Sequence, residues 1–95
     1  MSYTVKFRKD AEKEWKRLDK VIQQQFAKKL LKCRENPHIE GNKLRGMANC
    51  YKIKLRASGY RLVYQVQDEV LIIVVVAVGK RDRSEVYNQA SSRLR

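Results

Sequence analysis

Histidine, cysteine and proline are scarce in this chain of 95 residues, which has one histidine, two cysteines and one proline. A single histidine, His38, cannot supply the ligands of a zinc enzyme, and two irregularly spaced cysteines are too few for a disulfide framework or a zinc site. The longest apolar run, residues 70–78, is too short to cross a bilayer as a helix. We therefore expect no metal, cofactor or membrane partner, and the absence of a signal peptide predicts a cytoplasmic protein with reduced thiols.

Acidic residues are also few. Ten Asp and Glu stand against 22 Lys and Arg, which gives a formal net charge of +12 and a pI near 10.1. Residues 41–67 include no acid at all. A positive field of this size concentrates polyanions, so nucleic acid is the first partner class expected and an acidic protein the second.

Helical periodicity follows a weakly alternating first strand over residues 1–7. Asp10 is expected to cap one helix and Asp19 a second, which ends before Pro37. The apolar stripe of the second helix consists of Ile22, Phe26, Leu30 and Cys33. Because the two helices are short and tightly joined, they are expected to form an antiparallel pair lying on a sheet.

The second half of the chain is predicted to be mostly strand. A long loop over residues 34–49, held by Leu44 and Met47, precedes a β-hairpin over residues 51–66. The apolar residues 70–78 predict a central strand, because a strand that is apolar on both faces is generally covered on both sides.

A terminal helix completes the predicted fold. Ser84 can cap it, and its apolar stripe is narrow, which predicts a weakly held helix. The members of the stripe are Val86, Ala90 and Leu94. The order β-α-α-β-β-β-α predicts one α+β domain over residues 1–95, in which a small antiparallel-rich sheet packs on an N-terminal helical hairpin.

The polar positions of the predicted β-hairpin are unusually basic. With Ser58 and Gly59 at the centre of the turn, Arg56 is expected opposite Arg61, and Lys54 opposite Val63. Since side chains alternate along a strand, one face then holds four basic residues: Lys52, Lys54, Arg56 and Arg61. Like charges on one face repel, so this pattern is unusual for a face that contacts only water.

More basic residues follow the predicted central strand. Lys80, Arg81 and Arg83 cluster at its end, and Tyr87 comes one helical turn later. A concave basic site with an aromatic ring fits a phosphate backbone with a base to stack. The alternative is an ordinary solvated surface, in which Tyr87 packs between helix and sheet and Arg83 and Lys43 serve solubility alone.

RNA carries its own nucleophile, the 2′-hydroxyl, so its cleavage requires only a base, an acid and stabilisation of charge at phosphorus. Lys54 is a candidate base, because cationic Lys52 and Arg56 disfavour its protonated form and lower its pKa. Arginine stays protonated and suits the negative charge of the transition state. A metal-free ribonuclease is therefore chemically feasible, but composition alone does not select it over plain RNA binding.

Three segments resemble the RelE family of toxins: NKLRGM at residues 42–47, CYKIKLRASGYRLVYQV at residues 50–66 and VGKRDRSEVY at residues 78–87. The resemblance implies the toxin of a bacterial type II toxin–antitoxin pair. It further implies a metal-independent endoribonuclease that cuts the mRNA codon in the ribosomal A site. In this reaction the 2′-hydroxyl attacks and a 2′,3′-cyclic phosphate remains.

The resemblance also implies residue roles. Lys54 matches the general base, Arg81 the acid or leaving-group stabiliser, Arg61 the residue on the scissile phosphate, Lys52 a stabilising charge beside Lys54, and Tyr87 the ring that stacks on or orients the nucleotide. Five further residues are expected to bind RNA: Arg45, Arg56, Lys43, Arg83 and Lys80.

The partners implied by the resemblance are mRNA, the 70S ribosome with its 16S rRNA at the A site, and a cognate acidic antitoxin. Operator DNA is expected only through the antitoxin complex, in which the toxin acts as corepressor. Three alternatives stay open: a ParE-like toxin that acts on DNA gyrase, a non-catalytic RNA- or ribosome-binding module, and a ribonuclease that cuts RNA without a ribosome. The full set of basic residues and Tyr87 argues against the ParE-like class.

Overall fold

The computed structural model describes residues 2–80 and 85–94. Its strands and helices follow the predicted order β-α-α-β-β-β-α, which confirms the α+β class. They are β1 (Thr4–Phe7), α1 (Lys9–Lys16), α2 (Lys20–Cys33), β2 (Cys50–Leu55), β3 (Tyr60–Gln67), β4 (Ile72–Lys80) and α3 (Glu85–Arg93). The four strands form one sheet in the order β1-β4-β3-β2. Only β1 and β4 pair in parallel, so the sheet is rich in antiparallel pairs and the apolar strand β4 lies inside it, as predicted.

The two N-terminal helices begin differently. Asp19 caps α2 as predicted, because its carboxylate accepts a hydrogen bond from the backbone N–H of Ile22 at 3.0 Å. The prediction that Asp10 caps α1 is wrong, since the extended backbone of Arg8 starts this helix at Lys9. Asp10 lies instead in the first turn, where it accepts from the N–H of Ala11 at 2.9 Å.

Helices cover both faces of the sheet. On one face, α1 and α2 pack against the sheet. The four apolar residues of the predicted stripe of α2 are all buried there. On the other face Val86 and Ala90 of α3 are buried against Val63 of β3. The prediction of a weakly held α3 is therefore wrong: Val86 is 1% exposed and Ala90 is fully buried. The predicted cap of this helix, Ser84, lies outside the described residues.

A β-bulge interrupts the pairing of β3 with β4. Val63 pairs with Ala77 and the next residue, Tyr64, pairs with Val75, so Val76 is the extra residue. Both Val76 and Ala77 consequently pack on the α3 side of the sheet.

The long loop before β2 is fastened at several points. Leu44 donates its N–H to the carbonyl of Cys50 at 2.9 Å, and Leu44 and Met47 pack against the α3-side core, as predicted. The ring of His38 bonds the Tyr51 hydroxyl at 2.9 Å and an Asp68 carboxylate oxygen at 2.8 Å. In the part of the chain that the structure describes, no helix has the length and apolar character needed to cross a membrane.

Candidate active site

The β2–β3 turn has four residues, 56–59, rather than the two that we predicted. Gly59 adopts a φ of +79° and donates its N–H to the carbonyl of Leu55 at 2.9 Å. The usual two-residue hairpin turns need a positive φ at their first or at both central positions, which Ser58 does not favour. A longer turn with one left-handed residue at Gly59 avoids that strain.

This turn corrects the predicted register. Lys54 lies opposite Arg61 and not opposite Val63, which pairs with Lys52 instead. Because the register differs by two residues, the alternation of faces is unchanged. Lys52, Lys54 and Arg61 therefore point to the same face, as predicted, whereas Arg56 lies in the exposed turn and not opposite Arg61.

Arg61 occupies the centre of a row that crosses three strands. It pairs with Lys54 on one side and with Gly79 on the other, and it is only 6% exposed. Its guanidinium donates to the carbonyl of Tyr60 at 3.0 Å. Gly79 has no side chain to fill the space beside Arg61, and a β-carbon built there would contact Val86 of α3 at 4.0 Å. Arg61 is thus buried in a row whose next member, Gly79, faces Val86 of α3, the helix that carries Tyr87.

The charges around Lys54 act as predicted. The positive charge of Lys52 is the largest cause that lowers the pKa of Lys54 from its ordinary value of 10.5. Loss of hydration and the charges of Arg56 and Arg61 lower it further. A lysine with a lowered pKa has more neutral amine at a given pH, and the neutral amine is the form that accepts a proton.

The other predicted residues divide between the two faces. Tyr87 is half-buried on α3 and packs against the core on the same side of the sheet as Lys54 and Arg61. Lys80 pairs with Tyr60 and lies 5.6 Å from the centre of its ring, and this ring packs with the α1–α2 core. The structure therefore places Lys80 away from the row of Lys54 and Arg61.

Four predicted residues lie in the loop before β2 or in the connection after β4. Lys43 and Arg45 are exposed in the loop, where Lys43 pairs with Tyr51 at the outer edge of β2. Arg81 and Arg83, the predicted acid and a predicted RNA contact, lie outside the described residues.

A basic groove beside this face was not predicted as a unit. It lies between α2 and β2 and is lined by Lys28, Lys29, Lys32, Lys54 and Arg56. Lys29 donates to the backbone carbonyl of Lys54 at 3.4 Å. The spacing of the three helix lysines indicates one helix face, but only the packing of α2 on the hairpin brings that face to Lys54.

Comparisons with known proteins agree with this arrangement. The model of the ParE toxin family, a family of type II toxin–antitoxin toxins, matches residues 5–85. A RelE-like toxin protein of Escherichia coli is 74% identical over 95 residues and covers the whole of both chains. The mRNA interferase toxin RelE of Escherichia coli K12 is 55% identical over 94 residues and covers 99% of both.

The chain belongs to the RelE family of toxins. The family model is named after ParE, but the chain is 74% and 55% identical to RelE proteins over its whole length or nearly so. We therefore assign it to the RelE family and not to a ParE-like class. The fold agrees with that of a mutant of the E. coli toxin RelE in its free state, with a TM-score of 0.93, 53% identity and full coverage of both chains. It also matches an intact E. coli RelBE toxin–antitoxin complex with a TM-score of 0.82 and 54% identity, over 83% of this chain and 96% of that chain.

Proposed function

We propose that this protein is an mRNA interferase toxin, an endoribonuclease that cuts mRNA in the ribosomal A site. The observation that carries the proposal is the pairing of Lys54, whose pKa is lowered, with the buried Arg61 on one sheet face. The 55% identity to a protein named mRNA interferase toxin RelE supports the same activity.

The proposed reaction needs no reagent beyond the RNA itself. The neutral amine of Lys54 takes the proton of the 2′-hydroxyl, and the 2′-oxygen forms a bond to phosphorus. The bond from phosphorus to the 5′-oxygen breaks, which leaves a 2′,3′-cyclic phosphate on one fragment and a 5′-hydroxyl on the other. Arg81 is proposed either to donate a proton to the leaving 5′-oxygen or to stabilise its negative charge until water protonates it.

Arg61 is proposed to bind the phosphate as negative charge grows on its oxygens. A guanidinium presents a planar fork of N–H donors that fits phosphate oxygens, and a buried one acts with little screening by water. Lys52 adds positive charge beside Lys54, and Tyr87 is proposed to stack on or orient the nucleotide. Because arginine supplies the stabilising charge, we propose that the reaction needs no metal ion.

The basic groove between α2 and β2 supports a ribosomal site of action. Its lysines extend the positive surface from Lys54 along α2, and a row of cations suits the phosphates of structured RNA. We propose that this groove, together with Lys43 and Arg45, contacts 16S rRNA while Lys54 and Arg61 hold the mRNA. The 70S ribosome then presents the codon to be cut.

An acidic antitoxin is the proposed inhibitor of this protein in the cytoplasm. The formal charge of +12 favours an acidic partner, and a related RelE toxin has been solved in complex with its antitoxin. In that bound state the toxin is proposed to act as corepressor, with the antitoxin contacting operator DNA.

The decisive experiment incubates the purified protein with one defined mRNA, with and without ribosomes that hold a known codon in the A site. We expect new RNA ends inside that codon, a cyclic phosphate on the upstream fragment, and no cleavage of the bare mRNA. Cleavage of bare mRNA would remove the ribosome requirement. No cleavage in any tube would contradict the proposal.

The match to the ParE family model favours one second candidate, action on DNA gyrase. The same preparation is assayed for inhibition of gyrase-dependent supercoiling. Inhibition of supercoiling without cleavage of mRNA on ribosomes would replace the first proposal with this one.

A further inference from the structure

Strand β4 loses its neighbour β1 halfway along its length. β1 pairs with β4 from Ile72 to Val75 and then ends, because the chain turns at Arg8 into α1. The N–H of Arg8 bonds the Val75 carbonyl at 3.1 Å, which is the last backbone bond between the described residues on this side of β4. From Val76 onward, the backbone of β4 therefore needs other partners at this edge.

Two charged side chains replace the missing strand. A carboxylate oxygen of Glu14 accepts from the N–H of Val78 at 3.1 Å, and the guanidinium of Arg93 donates to the carbonyl of Val76 at 2.8 Å. The same two side chains bond each other through two contacts of 2.8 and 3.0 Å. Such bidentate arginine–carboxylate pairs are directional as well as strong.

This pair connects the two helical layers around the edge of the sheet. Glu14 belongs to α1 on one face and Arg93 to α3 on the other, and Arg93 also pairs with Asp10 of α1 at 3.0 Å. The side chains of Arg93 and Glu14 are only 16% and 19% exposed, so water screens their attraction little. We call this pair the edge latch.

The edge latch holds two elements that carry the candidate site. Tyr87 lies six residues before Arg93 on α3, which is about 9 Å along a helix axis. Val78, whose N–H is bonded to Glu14, directly precedes Gly79, the neighbour of Arg61 in the row across the sheet. The apolar contacts of Val86 and Ala90 bury α3, but apolar contacts are not directional and do not fix its rotation or position along the sheet.

We infer that Glu14 and Arg93 are positioning residues of the ribonuclease, which set the placement of Tyr87 and of the end of β4 relative to Arg61. The inference rests on the proposed function. It requires that loss of the edge latch slow the chemical step more than it weakens ribosome binding, because an error of about 1 Å in placement is enough to reduce a rate by about 100-fold.

The test compares Glu14→Ala with Glu12→Ala, a matched control on the same helix. Among the described residues, the side chain of Glu12 has a single ion pair, an exposed one with Lys16 at 3.7 Å. On programmed ribosomes we expect Glu14→Ala to lower the single-turnover cleavage rate by about 10- to 100-fold and ribosome affinity by no more than about threefold, and the control to change neither. Arg93→Ala should behave like Glu14→Ala, and Arg93→Lys should recover part of the rate, since lysine keeps the charge without the bidentate geometry.

Double variants that combine Glu14→Ala with Tyr87→Phe or Tyr87→Ala separate an effect on positioning from a general loss of stability. The cleavage rate is measured in each of them. If the edge latch acts through Tyr87, Glu14→Ala will cost much less in the Tyr87→Ala background than in the wild type, so the two effects will not multiply. Equal costs in both backgrounds would overturn the part of the inference that concerns Tyr87, and a cleavage rate that Glu14→Ala leaves unchanged would overturn the whole inference.

Amide hydrogen exchange provides a readout that does not depend on the activity. At a temperature where every variant is folded, Glu14→Ala and Arg93→Lys should speed exchange at Val78 and along α3, while Glu12→Ala should not. If the wild type cuts no mRNA, the proposed function fails; faster exchange then still supports the edge latch as the element that places α3. Unchanged exchange in both variants would overturn the inference whatever the activity.

Discussion

Lys54 and Arg61 lie directly opposite each other in the β2–β3 ladder, and Arg61 is buried while Lys54 remains partly exposed. The pair combines a residue that can exist as a neutral base with one that keeps its charge. The positive charge of Lys52, two residues away on the same face, is the largest cause that lowers the pKa of Lys54. This division of properties supports the general-base assignment.

The pH dependence of cleavage tests the part of Lys52. Removal of its charge should raise the pKa of Lys54 towards its ordinary value, because the largest cause of the lowering is gone. Less neutral amine is then present at a given pH, so the rising limb of the pH–rate profile should move to higher pH in Lys52→Gln. Single-turnover rates between pH 6 and 10 measure this limb.

The control for the pH profile is Lys20→Gln, which removes an exposed charge at the start of α2. Its profile should coincide with that of the wild type. A Lys52→Gln profile that is lower at every pH by one constant factor would show that Lys52 acts on binding and not on the pKa of Lys54.

Acid should destabilise the contacts of Asp68. Hydrogen bonds from Tyr3 and His38 lower the pKa of this carboxyl below its ordinary value of 3.8. A lowered folded-state pKa stabilises the protein above the unfolded-state pKa, and this contribution is lost as the pH falls through the folded-state value. The wild type should therefore be more stable than Asp68→Asn at pH 6, and the difference should shrink below about pH 4.

Urea unfolding at a series of pH values measures the Asp68 effect, with Glu69→Gln as the variant of an exposed neighbour in the same turn. We expect the difference between the wild type and Glu69→Gln to be small and to vary little with pH. A difference between the wild type and Asp68→Asn that stays constant from pH 6 to pH 3 would show that the Asp68 bonds do not depend on its charge.

Both thiols should react slowly in the native state. Burial raises the pKa of Cys50 to about 11, and it also raises that of Cys33. Since the thiolate is the reactive form, reaction of native Cys50 with a disulfide reagent at pH 8 should be at least about 100-fold slower than in denaturant. Kinetics of thiol labelling measure this ratio, and rapid labelling of the native chain would contradict the buried positions of the two residues.

The alternation of side chains along a strand correctly predicted which basic residues share a face, whereas the predicted pairs across the hairpin were wrong. The shared face of Lys52, Lys54 and Arg61 follows from the period of two along a strand, and a register that differs by two residues preserves it. The partner of Lys54 depends on the length of the turn, which the sequence pattern around Gly59 leaves open. The burial of Arg61 is likewise a tertiary property, which the alternation of side chains along β3 does not specify.

The rule that an aspartate before an apolar helical pattern caps the helix predicts one helix start correctly and the other wrongly. Asp19 follows a break between two helices, and its cap forms as predicted. Asp10 follows a strand that passes directly into α1, so the helix begins before it. The pair of Glu14 and Arg93 joins residues that are 79 positions apart and depends on where β1 ends, which no local pattern specifies.

The most direct test of the central claim compares the wild type with Lys54→Ala on ribosomes programmed with one A-site codon. Ribosome binding and the single-turnover cleavage rate are measured on the same samples. We predict that binding stays within a few-fold while cleavage falls by about 100-fold or more, because the proton acceptor is missing. Cleavage within a few-fold of the wild type would contradict the assignment of Lys54 as the base and of this sheet face as the active site.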